Sequence, residues 1–223
     1  MKILIFDSGP IINLSLNGLL YILENLKKIF DGKFLITEAV KYEVIDRPMK
    51  IPRFKLSALR IQNLFDKKII ELPNSVGIDS GLIKKESDKL MKAANICVKV
   101  KDRVVNIISE AEASCLALSA KLNKENMDNI IAIDERTTRI LSEKPENLEK
   151  LMSDKMHMRA SVSCNLEMFK NFRFIRSTEL VYVAYKKGLL NITGANVLEA
   201  ALYATKFKGS AVSFEEIEIL KRM

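Results

Sequence analysis

A chain of 223 residues with 48% hydrophobic and 29% charged side chains can bury a sizeable core, and its composition is that of a globular protein. No apolar run approaches the roughly 18 residues of a membrane-crossing helix, Asp7 cuts short the first apolar stretch before it could serve as an export signal, and Cys97, Cys115 and Cys164 lack metal-ligand spacing. Membrane, secreted and disulfide-framework classes are therefore set aside, a cytoplasmic compartment is expected, and the net charge of +8 points to a polyanion.

Lys2-Ile3-Leu4-Ile5-Phe6-Asp7 is a short apolar run closed by Ser8-Gly9-Pro10, the pattern of a buried strand and a helix with Pro10 at its first position. That helix is predicted to run through Leu14 and Leu20 towards Phe30. Residues 34–36 read as a second strand, and Thr37 as the N-cap of a helix with Val40, Val44 and Ile45 at helical spacing. Pro48 and Pro52 are expected to end it. Residues 56–65 follow as a helix with basic edges, and 69–72 as a strand stopped by Pro73. The segment 76–104 holds a Lys-rich amphipathic stretch at 82–94 and reads as an insertion. Ser109 opens a strong helix with Ala111, Cys115, Leu118 and Leu122 on one face. Residues 130–133 are a second apolar run closed by an acid, Asp134, with a helix from Glu135. A strand at 172–175 and helices at 179–188, 195–206 and 214–222 complete the chain. Strands alternating with helices predict an α/β fold with a parallel sheet flanked by helices on both faces. The expected organisation is one domain over 1–190, interrupted by 76–104, with a helical extension at 191–223 packed on it.

Charge divides unevenly along this plan. Residues 47–104 carry fourteen basic and six acidic side chains and residues 155–223 eleven and six, whereas 1–46 and 105–154 are mildly acidic. Lys and Arg in the basic segments suit phosphates, whose counterions they displace; a solvated surface kept for solubility is the alternative.

Two predicted strands end in an acid, Asp7 and Asp134. In an open α/β sheet, ligands bind beyond the carboxyl ends of the strands where the connections diverge, and adjacent strands would aim both acids there. Each acid could instead cap the helix that follows it. Glu43 flanks the apolar stripe of the Thr37 helix and so faces either a cleft or a basic partner. Glu110 lies in the first turn of the Ser109 helix, where acids also favour the macrodipole, and Glu112 is about 200° further round. Four carboxylates within a few ångströms force a proton onto one of them unless a cation is present. Oxygen ligands without imidazole or thiolate clusters indicate Mg²⁺ or Mn²⁺, and the lone His157 argues against histidine chemistry. A dication so held activates water against a phosphodiester.

The order of these acids resembles the PIN-domain family, in particular its archaeal and bacterial branch. The resemblance rests on Ile5-Phe6-Asp7-Ser8, on Thr37-Glu38-Ala39-Val40 followed by Glu43-Val44, on Ser109-Glu110-Ala111-Glu112 followed by Leu116-Ala117-Leu118, and on Ile133-Asp134-Glu135-Arg136. Residues 177–190 are similar to that branch's last strand-helix unit. Residues 1–46 and 105–190 are covered well, 47–75 loosely and 76–104 hardly at all. The resemblance implies Asp7, Glu43, Glu110 and Asp134 as metal-binding catalytic acids, with Ser8 in support and Glu112 sharing or replacing the role of Glu110. It implies a Mg²⁺- or Mn²⁺-dependent endoribonuclease acting on single-stranded or structured RNA. Ser109 and Glu135 stand where the branch usually has Gly and Asp.

Other classes fail on their residues. A haloacid-dehalogenase-like phosphatase needs a second acid where Gly9 stands, and neither a phosphate loop with Lys-Ser/Thr nor GxGxxG follows any strand. A non-catalytic RNA-binding or protein-docking module on the same scaffold is the standing alternative, as is a toxin paired with an antitoxin. Lys84, Lys85, Lys89 and Lys92 are expected to form a basic face for RNA, against the blander reading of a solvated helix. The 214–222 helix either covers the core or makes a homodimer.

Overall fold

The computed structural model describes residues 1–101, 103–163 and 166–223. Strand β1 (Lys2–Phe6) leads into helix α1 (Ser8–Leu16), which starts two residues ahead of Pro10. The single helix expected towards Phe30 is two, because Gly18 adopts a left-handed conformation with φ +69° and Leu19 N–H closes back onto Leu14 O at 2.8 Å. Helix α2 (Tyr21–Ile29) then precedes strand β2 (Gly32–Leu35). Thr37 caps the short α3 (Glu38–Lys41) through its side-chain oxygen, and a wide π-helical turn, Tyr42–Asp46, continues it. Pro52 opens the next helix, α4 (Pro52–Asp66), instead of only ending the last one, since its fixed φ and missing N–H suit a first turn. The strand expected at 69–72 shrinks to one parallel bridge, Glu71 to Leu35.

Helix α5 (Ser80–Asn95), capped by Asp79, is followed by strands β3 (Val98–Val100) and β4 (Arg103–Val104). Ser109 caps α6 (Glu110–Lys124), which precedes β5 (Asp128–Ala132). Helices α7 (Arg136–Glu143) and α8 (Leu148–Met156) lead to β6 (Ala160–Val162) and β7 (Phe174–Ile175). The chain ends in α9 (Ser177–Lys186), α10 (Val197–Phe207) and α11 (Phe214–Arg222). None of the helices is long and apolar enough to cross a membrane among the described residues.

The main sheet is parallel with order β2-β1-β5-β7, flanked by helices, and the molecule is of the α/β class. A small antiparallel sheet, β4-β3-β6, was not expected from the sequence; its two- and three-residue strands are too short to show an alternating pattern. Cys97, next to β3, is disulfide-bonded, against the expectation for this chain, while Cys115 is free and buried and Cys164 lies outside the described residues.

The core follows the sheet. Ile3, Ile5 and Phe6 of β1, Phe34 and Leu35 of β2 and Ile131 of β5 are fully or almost fully buried. Helix α6 lies on β1 and β5 and packs its length against α5, whereas α2 lies on β2 and touches α9. The connection out of β1 moves to β2 on one side and that out of β5 to β7 on the other. The crevice beyond β1 and β5 is thus the topological switch point of the sheet.

The last helices attach through α10 on α9 and α11 on α10, with a small cluster of Leu202, Val212 and Ile217. Arg176, only 8% exposed, holds this end together. Its guanidinium pairs with Glu179 and with Glu216 at 2.9 Å, and donates to Ala211 O at 2.9 Å. Replacing Arg176 by Met removes charged hydrogen bonds to Glu179 and Glu216, so we expect urea denaturation to show a loss of about 2 kcal/mol.

Candidate acidic site at the carboxyl edge

Asp7 continues β1 by one residue, its N–H donating to Ala132 O at 2.9 Å. Its extended backbone makes it the N-cap of α1, and Oδ2 accepts from Gly9 N–H at 3.2 Å. The other oxygen, Oδ1, is buried and has no hydrogen-bond partner. Capping therefore uses one carboxyl oxygen and leaves the other buried without a partner. Burial drives the Asp7 carboxyl from its ordinary 3.8 up to about 8, and the Glu112 and Glu43 carboxylates add to the rise while Gly9 and Ser8 N–H groups oppose it. Ser8 supports Asp7 in that backbone role.

Glu112 comes to this place from the first turn of α6. Ser109 and Glu112 form a reciprocal capping box, with Glu112 Oε2 accepting from Ser109 N–H at 3.1 Å and from Thr138 Oγ1 at 2.8 Å. Burial raises its carboxyl above the usual range, helped by Glu135 and Glu43 and opposed by those two donors. Glu43 sits in the π-helical turn, where Arg47 N–H reaches back to Tyr42 O, an arrangement frequent at functional sites. It is partly buried and acts electrostatically on Asp7, Glu112 and Cys115. Asp7, Glu43 and Glu112 thus share one field.

Glu110 does not point into that field. It is exposed and pairs with Lys84 of α5 at 3.0 Å. It lines, with Glu43, Arg47, Lys84 and Ser87, a cleft of about 490 Å³ between the Thr37 helix and α5. Ser87 in that wall is 2% exposed and its hydroxyl is also unpartnered. Lys85, Lys89 and Lys92 are exposed along α5, Lys89 pairing with Glu86 at 3.3 Å.

Asp134 is beside Asp7 in space but in other company. A Cβ built on Gly9 would lie 3.4 Å from Asp7 Oδ2 and 3.6 Å from Asp134 Cβ, so Gly9 separates the two strand ends by one residue's width. Asp134 Oδ1 accepts from Ser177 N–H at 2.9 Å and Ser210 Oγ at 3.0 Å, and Oδ2 from Asn13 Nδ2 at 3.3 Å. Burial raises its carboxyl and these donors oppose the rise. It does not cap its own following helix; Glu135 does, through Thr137 N–H. His157 is exposed at the end of α8 in a left-handed conformation. Cys115 donates to Phe6 O at 3.6 Å, and burial together with the Asp7 and Glu112 charges pushes its thiol well up, so it is no nucleophile.

Two side chains that matter here were given no role from the sequence. Thr138 orients Glu112, and its place four residues beyond Asp134 was the available signal. Asn13, 1% exposed, binds Asp134 from α1; a buried amide six residues after Asp7 had no pattern to reveal it.

Among the described residues, no group of three or more His, Cys, Asp or Glu side chains stands close enough together to hold a metal ion. The orphaned Asp7 Oδ1 fits a cation, because a buried carboxylate oxygen without a donor needs a positive partner or a proton. Comparison of the chain with protein-family models, curated proteins and solved structures gave no match.

The pH dependence follows from Asp7. The folded protein keeps this proton up to about 8, whereas the unfolded chain releases it near 3.8. The unfolded state therefore binds fewer protons between these values, and stability falls as pH rises through that window. Chemical denaturation of the metal-free protein from pH 4 to 8 should show the loss, on the order of 5 kcal/mol at most. Asp7→Asn, which keeps the cap and cannot ionise, should flatten it.

Proposed function

We propose that this chain is a PIN-type endoribonuclease that hydrolyses RNA phosphodiesters with Mg²⁺ or Mn²⁺. The reading is carried by the buried Asp7 carboxylate with an unpartnered oxygen, placed at the switch point of a parallel sheet beside Glu112 and Glu43. Asp7 would offer its free oxygen to the ion, with the Glu112 and Glu43 carboxylates supplying negative charge around it. When bound, it supplies Lewis acidity that lowers the pKa of water and screens charge on a phosphoryl oxygen. Gly9 N–H fixes the Asp7 rotamer, and Thr138 with Ser109 N–H fixes Glu112, leaving Asp7 Oδ1 without a protein donor. Asp134 is a positioning residue on this reading, since protein donors already occupy both its oxygens. Glu110 belongs to the rim, where it holds Lys84.

This assignment differs from the one the sequence motif implies, and the difference is measurable. With labelled single-stranded RNA and Mn²⁺, Asp7→Asn and Glu112→Gln should each lower cleavage about 10²-fold or more, while Glu110→Gln should change it only a few-fold. Equal loss in Glu110→Gln and Glu112→Gln would return Glu110 to the site. Absence of cleavage with any dication would leave the non-catalytic module, which the spread of the acids favours. Manganese should also raise the melting temperature of the wild type and not of Asp7→Asn.

The α5 lysines extend the reading to substrate. Lys84 borders the cleft, and Lys85, Lys89 and Lys92 continue along the exposed helix. The triple reversal Lys85→Glu, Lys89→Glu and Lys92→Glu should weaken RNA binding and reduce its salt slope by about 3 in the log–log plot. An unchanged slope means that the helix is merely solvated.

A further inference from the structure

A second surface begins where Asp134 is tethered. Ser210, which donates to Asp134, and Ala211, whose N–H donates to Asp134 O at 3.2 Å, form one wall of a groove of about 810 Å³. It runs between α7 and the α10–α11 corner. Arg136, Arg139, Lys144 and Lys206 line it, and of its acids Glu143 and Glu216 are neutralised by Arg139 and Arg176, which leaves Glu215. Arg136 and Lys144 make no ion pair among the described residues.

Three aromatic rings stand at the end of this groove. Tyr203, Phe207 and Phe214 have centroids 6.1 to 6.5 Å apart, with Tyr203 and Phe207 nearly parallel at 20°. Phe207 is 72% and Phe214 52% exposed, and the Lys206 ammonium lies 4.3 Å from the Phe214 centroid. A chain of ordinary solubility gains nothing by offering two phenylalanines to water in a groove whose Arg136 and Lys144 have no ion-pair partner among the described residues. A polymer with flat apolar faces and a phosphate at every step satisfies both: bases stack on the rings while the backbone follows the cations. A folded protein partner would match the rings but leave Arg136 and Lys144 unanswered, and a duplex hides its base faces.

We infer that the groove between α7 and the α10–α11 corner is a stacking platform for single-stranded RNA, with Phe207 and Phe214 receiving bases and Arg136 and Lys144 the backbone. It rests on the ribonuclease reading for its choice of polymer, and places the strand's path next to the carboxyl end of β5.

The test is fluorescence anisotropy of the full chain with a labelled single-stranded RNA of about 12 nucleotides, in EDTA so that no cleavage intervenes. Phe207→Ala should weaken binding about 10-fold, and Phe207→Leu nearly as much, because a leucine keeps apolar area without a stacking face. Arg136→Glu should lower the salt slope. Phe207 is mostly solvent-exposed, so these variants should keep the wild-type circular dichroism and melting temperature. Unchanged affinity in Phe207→Ala and Phe214→Ala overturns the platform, as does duplex RNA binding as tightly as the single strand. A self-association that Phe207→Ala dissolves without affecting RNA also overturns it, since the patch is then a dimer contact. The two readings fail separately: if no dication supports cleavage by the wild type and Phe207→Ala still loses RNA, the platform stands and the nuclease reading falls.

Discussion

The Asp134 carboxylate is the interaction on which the carboxyl edge of this molecule depends. A carboxylate taken out of water must regain its hydrogen bonds from the protein. Asp134 does so from three distant stretches: Asn13 of α1, the first N–H of α9 at Ser177, and Ser210 beyond α10. The α9 amide also offers the positive end of a helix. Asn13 passes the constraint on by donating to Thr205 O at 2.8 Å, which fixes α10 to the same point. One buried charge therefore sets α1, α9 and the C-terminal segment relative to the end of β5, and with α1 the cap at Asp7.

Asp7 shows what the same residue becomes without such donors. The two acids end neighbouring strands and lie on either side of Gly9, yet one has three side-chain or backbone donors and the other a single helix-cap bond. Asp7 also feels Glu112 and Glu43, which Asp134's hydrogen bonds turn it away from. Burial and like charge act in the same direction, so only a proton or a cation relieves Asp7. The asymmetry between the two strand ends is what gives the crevice a chemical direction.

Much of this was legible in the sequence and some could not be. Apolar runs closed by acids marked β1 and β5, and Thr37 and Ser109 marked their helix starts, because side-chain caps are local chemistry. The choice between Glu110 and Glu112 was not local. At 100° per residue they lie symmetrically about Ala111, which heads the buried face of α6, so periodicity cannot tell which turns inward. The packing of α5 decides it, by offering Lys84 on the side of Glu110, while Thr138 of α7 receives Glu112. The π-helical turn at Glu43 and the break at Gly18 depend on one hydrogen bond each, which no hydrophobic pattern encodes. The β3–β6 pairing, and with it the surroundings of Cys97, is a long-range contact between segments too short to announce themselves.

The uneven charge of the chain acquires a spatial sense from these contacts. The acidic stretches supply Asp7, Glu43, Glu112 and Asp134, and the basic ones supply cations around them: Lys84 reaches Glu110 from α5, and Lys206 joins Arg136, a cation of the acidic 105–154 stretch, in the groove that starts at the Asp134 tether. On the proposed reading, a polyanion drawn by those cations must come close to the Glu43 and Glu112 carboxylates, while Asp7 keeps its proton until a dication displaces it. A dication that neutralises Asp7, Glu112 and Glu43 removes that repulsion and so strengthens the polyanion's binding. Linkage then requires the polyanion to strengthen the dication's binding by the same factor. Among the described residues no three acids stand close enough to hold an ion by themselves, so on this reading each ligand would gain most from the other's arrival.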